Sequence, residues 1–412
     1  MHPRFKKLSL AFSVLLPTIM SAFYLASSNA QSSASSLVQT PPMGWNSYNY
    51  FWIHPTDSII RTAADQIVAS GMKDAGYQYV IIDGGWEGFR DGSGILHPNS
   101  AFPDMKALAD YVHSKGLKIG IYSSPGPTAC GGFPGSYGFE QQDANTFAGW
   151  GFDYLKYDLC SFQTIMQTQF PNDYPAQMKL MIVAYDKMSK ALRATGRPFV
   201  FSLCQYGLNS VWEWGESVGG NLWRTTFDIA PYWYFIAFNG FSQAGLGAYA
   251  GPGHWNDPDV LEVGNGNLTL AEDRSHFSLW AILAAPLIAG NNLSTMTPDV
   301  ASILTNHDVI AIDQDSRGES GTRAYAEGEV EIWTRRLANN GLAICIINNG
   351  TDRYSSNPFH LNLRKLPRRL WDRDRPLRGK DLWSGKEITL TDGMPIELGS
   401  HDVLLARVDR TE

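Results

Sequence analysis

The segment FPDMKALADYVHSKGLKIGIYS, residues 102–123, holds one full step of an alternating architecture. Phe102 to Gly116 starts polar, carries apolar residues at helical spacing and stops on a glycine, which predicts a helix. Lys118 to Ser123 follows at once as an apolar, strand-like run. Upstream stands VIID (80–83), a second such run. Strand, helix and strand in so short a span make the unit from which parallel sheets are built.

The unit recurs in both directions. DANTFAGWG (143–151) reads as helix and leads into YLKYD (154–158). QMKLMIVAYDKMSKALRATG (177–196) is a long amphipathic helix closed by Gly196 and Pro198. FVFSLC (199–204), NLWRTTFD (221–228) and HWNDPDV (254–260) are further strand-like runs. GWNSYN (44–49) before them and PLIAGNN (286–292) after them bring the total to about eight, which fits an α/β fold of the (β/α)8 TIM-barrel type. After Asp315 the pattern changes to short alternating strands: VEIWTRRL, LAICIINN, FHLNL, KEITL and DVLLARV. That predicts a C-terminal antiparallel β-sandwich whose default role is packing against the barrel. The expected division is 40–315 for the barrel and 316–412 for the sandwich.

Composition bounds the function. The 412 residues are 44% hydrophobic and 18% charged, with a formal net charge of −7. No long basic run occurs, so neither nucleic acid nor an anionic membrane surface has electrostatic support as a partner. The 13 Trp and 18 Tyr serve equally as core or as stacking faces for sugar rings. At the N-terminus, Arg4, Lys6 and Lys7 precede an apolar run from Leu8 to about Leu25, then Ser28-Asn29-Ala30. This reads as a signal peptide, residues 1–30, with a short linker at 31–39 and a secreted or periplasmic mature chain. A membrane anchor is the competing reading. The four cysteines, Cys130, Cys160, Cys204 and Cys345, allow three full pairings. Cys204 and Cys345 lie in apolar runs and read equally as buried free thiols.

In a barrel, chemistry gathers at the C-terminal ends of the strands. The polar residues expected there are Tyr48, Asp83, Tyr122, Lys156 with Asp158, Gln205, Arg224 with Asp228, and Asp257 with Asp259. No His/Cys cluster accompanies them, and neither GxSxG nor a P-loop motif is present. No cofactor or metal is implied. Paired carboxylates among aromatics, with one Lys and one Arg, suit glycoside hydrolysis. Lys156 and Asp158 alternate with apolar residues and share one strand face, where Lys156 would keep Asp158 ionised as a nucleophile. The competing reading is an interior structural ion pair. Arg224 and Asp228 have the spacing of one strand face; Asp228 is either a general acid/base or a loop carboxylate paired with Arg224. Pro258 between Asp257 and Asp259 suggests a fixed turn, with one Asp bonding backbone and the other reaching the site.

The chain resembles glycoside hydrolase family 27, the α-galactosidase and melibiase family, over nearly all of its mature length. The stretches that carry the resemblance are TPPMGWNSYNYF (40–51), FPDMKALADYVHSKGLKIGIY (102–122), CGGFPGSYGFEQQDANTFAGWGFDYLKYDLC (130–160), NLWRTTFDI (221–229) and GPGHWNDPDVLEVGNG (251–266). The resemblance implies a retaining double displacement with Asp158 as nucleophile and Asp228 as acid/base, the two carboxyls about 5–6 Å apart. It implies sugar contacts from Asp83, Tyr122, Lys156, Arg224 and Asp259, and a Cys130–Cys160 disulfide bordering the pocket. Tyr48, Trp86 and Gln205 are expected at the pocket wall as well.

Four positions depart from the family pattern. Gly84 stands where a second acid is usual, Tyr48 for a Trp, Gln205 for a Glu and Val260 for a Met. The paired acids bind the hydroxyls at C4 and C6 of galactose, so Gly84 removes one acceptor. A carbohydrate is the expected partner, with no nucleic acid, no membrane after signal cleavage, and a homo-oligomer left open. The alternatives are the same chemistry on another glycone, such as a β-L-arabinopyranoside, a non-catalytic carbohydrate-binding relative, and a metal-dependent barrel hydrolase.

Overall fold

The computed structural model describes residues 37–351, 358–367, 370 and 375–409. The expected signal peptide lies outside them. Among the described residues no helix is long and apolar enough to cross a membrane.

Eight strands form one parallel sheet: β1 Met43–Asn46, β2 Tyr79–Ile81, β3 Lys118–Ser123, β4 Tyr154–Asp158, β5 Val200–Cys204, β6 Leu222–Arg224, β7 Trp255–Asp257 and β8 Leu287–Ala289. Their order is β8-β1-β2-β3-β4-β5-β6-β7. Leu261, just past β7, bridges Ala289 of β8 in parallel. Its amide donates to the Ile288 carbonyl at 2.7 Å and its own carbonyl accepts from Gly290 at 2.9 Å, which curls the sheet closed. This is the TIM-barrel architecture expected from the alternating pattern.

The helices between the strands follow from local signals. The helix Met105–Ser114 starts on Asp104, whose carboxylate accepts from the Ala107 amide, and buries Met105, Leu108, Ala109 and Val112. That spacing is one helical face. The reversal into β3 passes through Gly116 at φ +70°, a conformation that favours glycine.

The barrel interior explains where the site lies. Tyr79, Tyr154, Val200, Leu222, Trp255 and Ile288 form an apolar floor inside the sheet. Side chains alternate across a strand, so the next inward positions are two residues on. From Tyr154 those are Lys156 and then Asp158; from Leu222, Arg224; from Trp255, Asp257. The alternate residues Val80, Leu155, Tyr157, Leu203 and Trp223 join the core that faces the helices. The same two-residue period thus stacks charge above an apolar plug at the C-terminal mouth.

The C-terminal domain is a six-stranded antiparallel sheet, with a separate two-stranded pair formed by Phe359–His360 and Pro395–Ile396. Alternation again sorts its residues. Trp333, Ala343, Cys345, Ile347 and Leu405 join the barrel core, while Ile332, Leu342, Ile344, Ile346 and Ala406 pack with Phe359, Leu361 and Ile396. The helix Leu270–Leu283 lies at the seam and ten of its residues are buried. Arg335 is also buried there. It donates to the carbonyls of Ala281 at 2.9 Å, Ile312 at 2.6 Å and Asp313 at 3.1 Å, tying the domains together.

Candidate active site

A cavity of about 170 Å³ opens at the C-terminal mouth of the barrel. Tyr48, Asp83, Gly84, Tyr122, Cys130, Lys156, Asp158, Arg224, Asp228 and Asp259 line it. These residues come from six strand ends and meet in one place.

Asp83 and Lys156 form one of its two well-buried ion pairs, the other being Arg224 with Asp259. Lys156 Nζ donates to Asp83 Oδ2 at 2.8 Å, and Asn46 Nδ2 donates to the same oxygen at 2.8 Å. Burial works against the Lys156 charge, but Asp83, with Asp158 and Asp259 further off, outweighs it and holds the ammonium well above its ordinary value. The ammonium also lies 5.7 Å from the Tyr48 ring centre and 5.6 Å from that of Tyr122. A fixed cation and a fixed carboxylate side by side suit the donor and acceptor pattern of sugar hydroxyls.

Asp158 is held by two phenols. Tyr206 donates to its Oδ1 at 2.6 Å and Tyr122 to its Oδ2 at 3.3 Å. Burial pushes its carboxyl up to about 6, while Lys156 and the Tyr206 bond pull in the opposite direction. At neutral pH it is therefore an anion that is poorly solvated by water, which is the condition of a nucleophile. A disulfide joins Cys130 and Cys160 beside it. Both sulfurs and an Asp158 oxygen lie within 4.8 Å of one another. Cys204 and Cys345 are buried and free.

Arg224 is 2% exposed and organises the opposite carboxylates. Its Nη2 meets Asp259 Oδ2 at 2.8 Å and Asp228 Oδ1 at 3.1 Å. Burial disfavours the guanidinium charge, yet Asp259, with Asp228 and Asp257, more than compensates. Asp228 does not share a strand face with Arg224, because β6 ends at Arg224 and Asp228 follows on a loop with its side chain 66% exposed. The ion pair between them forms all the same. The Asp257-Pro258-Asp259 turn is as its proline suggested. Asp257 Oδ1 accepts from the Asp259 amide at 2.8 Å, and Asp259, at φ +89°, faces the cavity.

Two expected wall residues, Trp86 and Gln205, lie elsewhere. Trp86 is fully buried behind the sheet, edge-on to Phe147 and Trp150, with its indole N–H on the Tyr122 carbonyl at 3.0 Å. Gly85 at φ +102° turns the chain before it and sends the ring into the helix layer. Gln205 is also fully buried, below the turn formed by Tyr206 at φ +63°. That turn presents Tyr206 in its place. Of the disulfide, Cys130 lines the cavity, and the Cys160 sulfur borders it 3.1 Å from the Tyr122 hydroxyl. The cavity adds Trp52, Tyr206 and Glu262, which the strand-end pattern misses. Glu262 was findable as a lone charge in the apolar run LEV. Burial pushes its carboxyl up to about 7, against hydrogen bonds from Asn265 and Asn49.

A closed β/α barrel with carboxylates and aromatics at its mouth, followed by an antiparallel β domain, is the build of a glycosidase. A family model described as α-galactosidase A matches residues 40–315, and one for the α-galactosidase C-terminal β-sandwich domain matches residues 327–408. The chain belongs to this α-galactosidase family. It is 42% identical to an α-galactosidase A of Cellvibrio japonicus, over 90% of this chain and 92% of the relative. The crystal structure of α-galactosidase I from Mortierella vinacea superposes with a TM-score of 0.82 at 32% identity, covering 91% of this chain and 98% of that one. A β-L-arabinopyranosidase of Geobacillus stearothermophilus reaches a TM-score of 0.77 at 22% identity, covering 92% and 99%, and shares the fold.

Proposed function

We propose that this chain is an exported, retaining α-galactosidase that removes terminal α-D-galactosyl residues from oligo- or polysaccharides. The observation that carries the reading is one cavity lined by both Asp158, held by Tyr206 and Lys156, and Asp228, held by Arg224. The assignment to α-galactosides rests on the family and on the named relatives. Export is supported by the N-terminal charge and apolar pattern and by a disulfide, which persists in oxidising compartments.

The mechanism has two displacements. An Asp158 carboxylate oxygen bonds to the anomeric carbon as the bond from that carbon to the leaving oxygen breaks. Asp228 gives its proton to that oxygen, and the aglycone departs as an alcohol. Asp228, now a carboxylate, takes a proton from water. The water oxygen bonds to the anomeric carbon, the ester bond to Asp158 breaks, and α-galactose leaves with both carboxyls restored. Asp83 accepts and Lys156 donates to the glycone hydroxyls, with Asp259 and Arg224 on the other side.

A second reading stands on Gly84. It lines the cavity and puts no second carboxylate next to Asp83. A Cβ there would meet the Tyr122 ring at 3.3 Å, so the position is closely backed rather than an open bay. A wall without that acceptor favours a galactose-like glycone lacking the C6 arm, such as β-L-arabinopyranose.

A panel of nitrophenyl glycosides decides between them: α-galactoside, β-L-arabinopyranoside, α-N-acetylgalactosaminide and α-glucoside. Turnover is expected on the first. Failure there with turnover of another overturns the glycone assignment. Asp158→Asn is expected to lower kcat by at least about 10³-fold, as loss of a covalent nucleophile does. Retained activity overturns the role of Asp158.

A further inference from the structure

The side of the cavity that carries Asp228 continues into an exposed aromatic surface that neither the fold nor the glycone pocket uses. Phe227 precedes Asp228 and is 61% exposed. Its ring stacks on Tyr206 at 6.1 Å with 12° between the planes, and Tyr206 is the residue that bonds Asp158. The Phe227 carbonyl accepts from Asn239 Nδ2 at 3.1 Å, which anchors it to the helix Trp233–Phe241. The wall residues Ala230 and Pro231 lead directly into that helix.

The helix buries Trp233, Ile236, Ala237 and Gly240 and leaves large rings outside. Tyr232 is 64% exposed, Tyr234 70% and Phe238 51%. Tyr234 and Phe238 stack at 6.4 Å, 18° from parallel. Such a concentration of apolar rings on a monomer's surface marks a site of interaction. Flat rings reached from the pocket through Tyr206 and Pro231 match the C–H faces of pyranose rings, and the phenol hydroxyls of Tyr232 and Tyr234 suit their edges.

We propose that this apron binds the carbohydrate that carries the scissile galactosyl residue, the first sugar on Phe227 and further sugars across Tyr232, Tyr234 and Phe238. The proposal rests on the reading of Asp228 as the acid. A group that protonates the leaving oxygen must sit on the aglycone side, so the rings flanking it meet the aglycone.

The test uses three substrates: methyl α-galactoside, which has no second ring; a galactosyl disaccharide; and a galactose-substituted polysaccharide. For the wild type, kcat/KM rises along the series. Phe227→Ala lowers the disaccharide-to-methyl ratio about tenfold, and Phe227→Trp restores it. Tyr234→Ala with Phe238→Ala lowers the polysaccharide-to-disaccharide ratio about tenfold. Each ratio is internal to one variant, so altered folding or an altered Asp228 cancels. Normal turnover with unchanged ratios overturns the apron alone. So does a wild-type chain found by sedimentation to self-associate, with Tyr234→Ala and Phe238→Ala making it monomeric at unchanged ratios. A wild type that turns over none of the three overturns the galactosidase reading and the apron together.

Discussion

Replacing Tyr206 by Phe deletes one hydroxyl from the site and keeps the ring that stacks on Phe227. The lost bond is a short one, 2.6 Å from the phenol oxygen to Asp158 Oδ1. A hydrogen bond to a buried anion contributes about 1.5–3 kcal/mol. This bond favours the ionised carboxylate, so its loss raises the Asp158 pKa by about 1–2 units at about 1.4 kcal/mol per unit. In the native site burial has already pushed that carboxyl up to about 6. The raised value sets the sign. The active carboxylate is present above about 6 and is lost as pH falls through it. The acid limb of kcat/KM should thus move from near 6 to about 7–8 in Tyr206→Phe. The assay is a pH profile of kcat/KM on nitrophenyl α-galactoside, which reports the free enzyme. A limb at the same pH in both proteins refutes the claim that Tyr206 holds Asp158 ionised. A limb that moves to lower pH refutes the direction of the electrostatics.

Two further perturbations probe the scaffold. Arg335→Met leaves three carbonyls at the domain seam without their donor and is expected to cost about 3–5 kcal/mol; a thermal midpoint equal to the wild type's counters this. Gly85→Ala would place a Cβ 2.3 Å from the Ile53 carbonyl oxygen at φ +102°, whereas Gly84→Ala meets only the Tyr122 ring at 3.3 Å. The first should lower both the melting temperature and kcat/KM and the second should fold normally, as thermal denaturation and a nitrophenyl assay will read.

The parts of the fold that were legible in the sequence are those where alternation alone determines the outcome. KIGIYS and YLKYD became the strands Lys118–Ser123 and Tyr154–Asp158 because Ile119, Ile121, Leu155 and Tyr157 recur at every second position as a face for the helix-side core. The charged inward positions of the same period placed Lys156, Asp158 and Arg224 in the mouth. Alternation cannot say where a strand stops. NLWRTTFD continues the pattern beyond Arg224, yet the chain leaves the sheet there. The Ile229 amide is captured by Asp259 Oδ2 at 2.8 Å, from a segment thirty residues away. Trp86 and Gln205 were misplaced for a related reason. The positive φ at Gly85 and Tyr206 reverses which side of the chain faces the cavity. Glycine announces that freedom in a sequence; tyrosine does not. The sandwich strand Leu377–Asp381 escaped notice because RGKD reads as a polar turn, and only pairing on both sides, with Glu387–Leu390 and Val403–Asp409, makes it a strand.

The most direct test of the double displacement is the anomer released first. Proton NMR during rapid hydrolysis of an α-galactoside follows the anomeric signals before mutarotation mixes them. Attack by Asp158 followed by water inverts the anomeric carbon twice, so α-galactose should appear first and β-galactose grow in later. β-Galactose as the first product would mean a single displacement by water, and would remove Asp158 from its place as nucleophile.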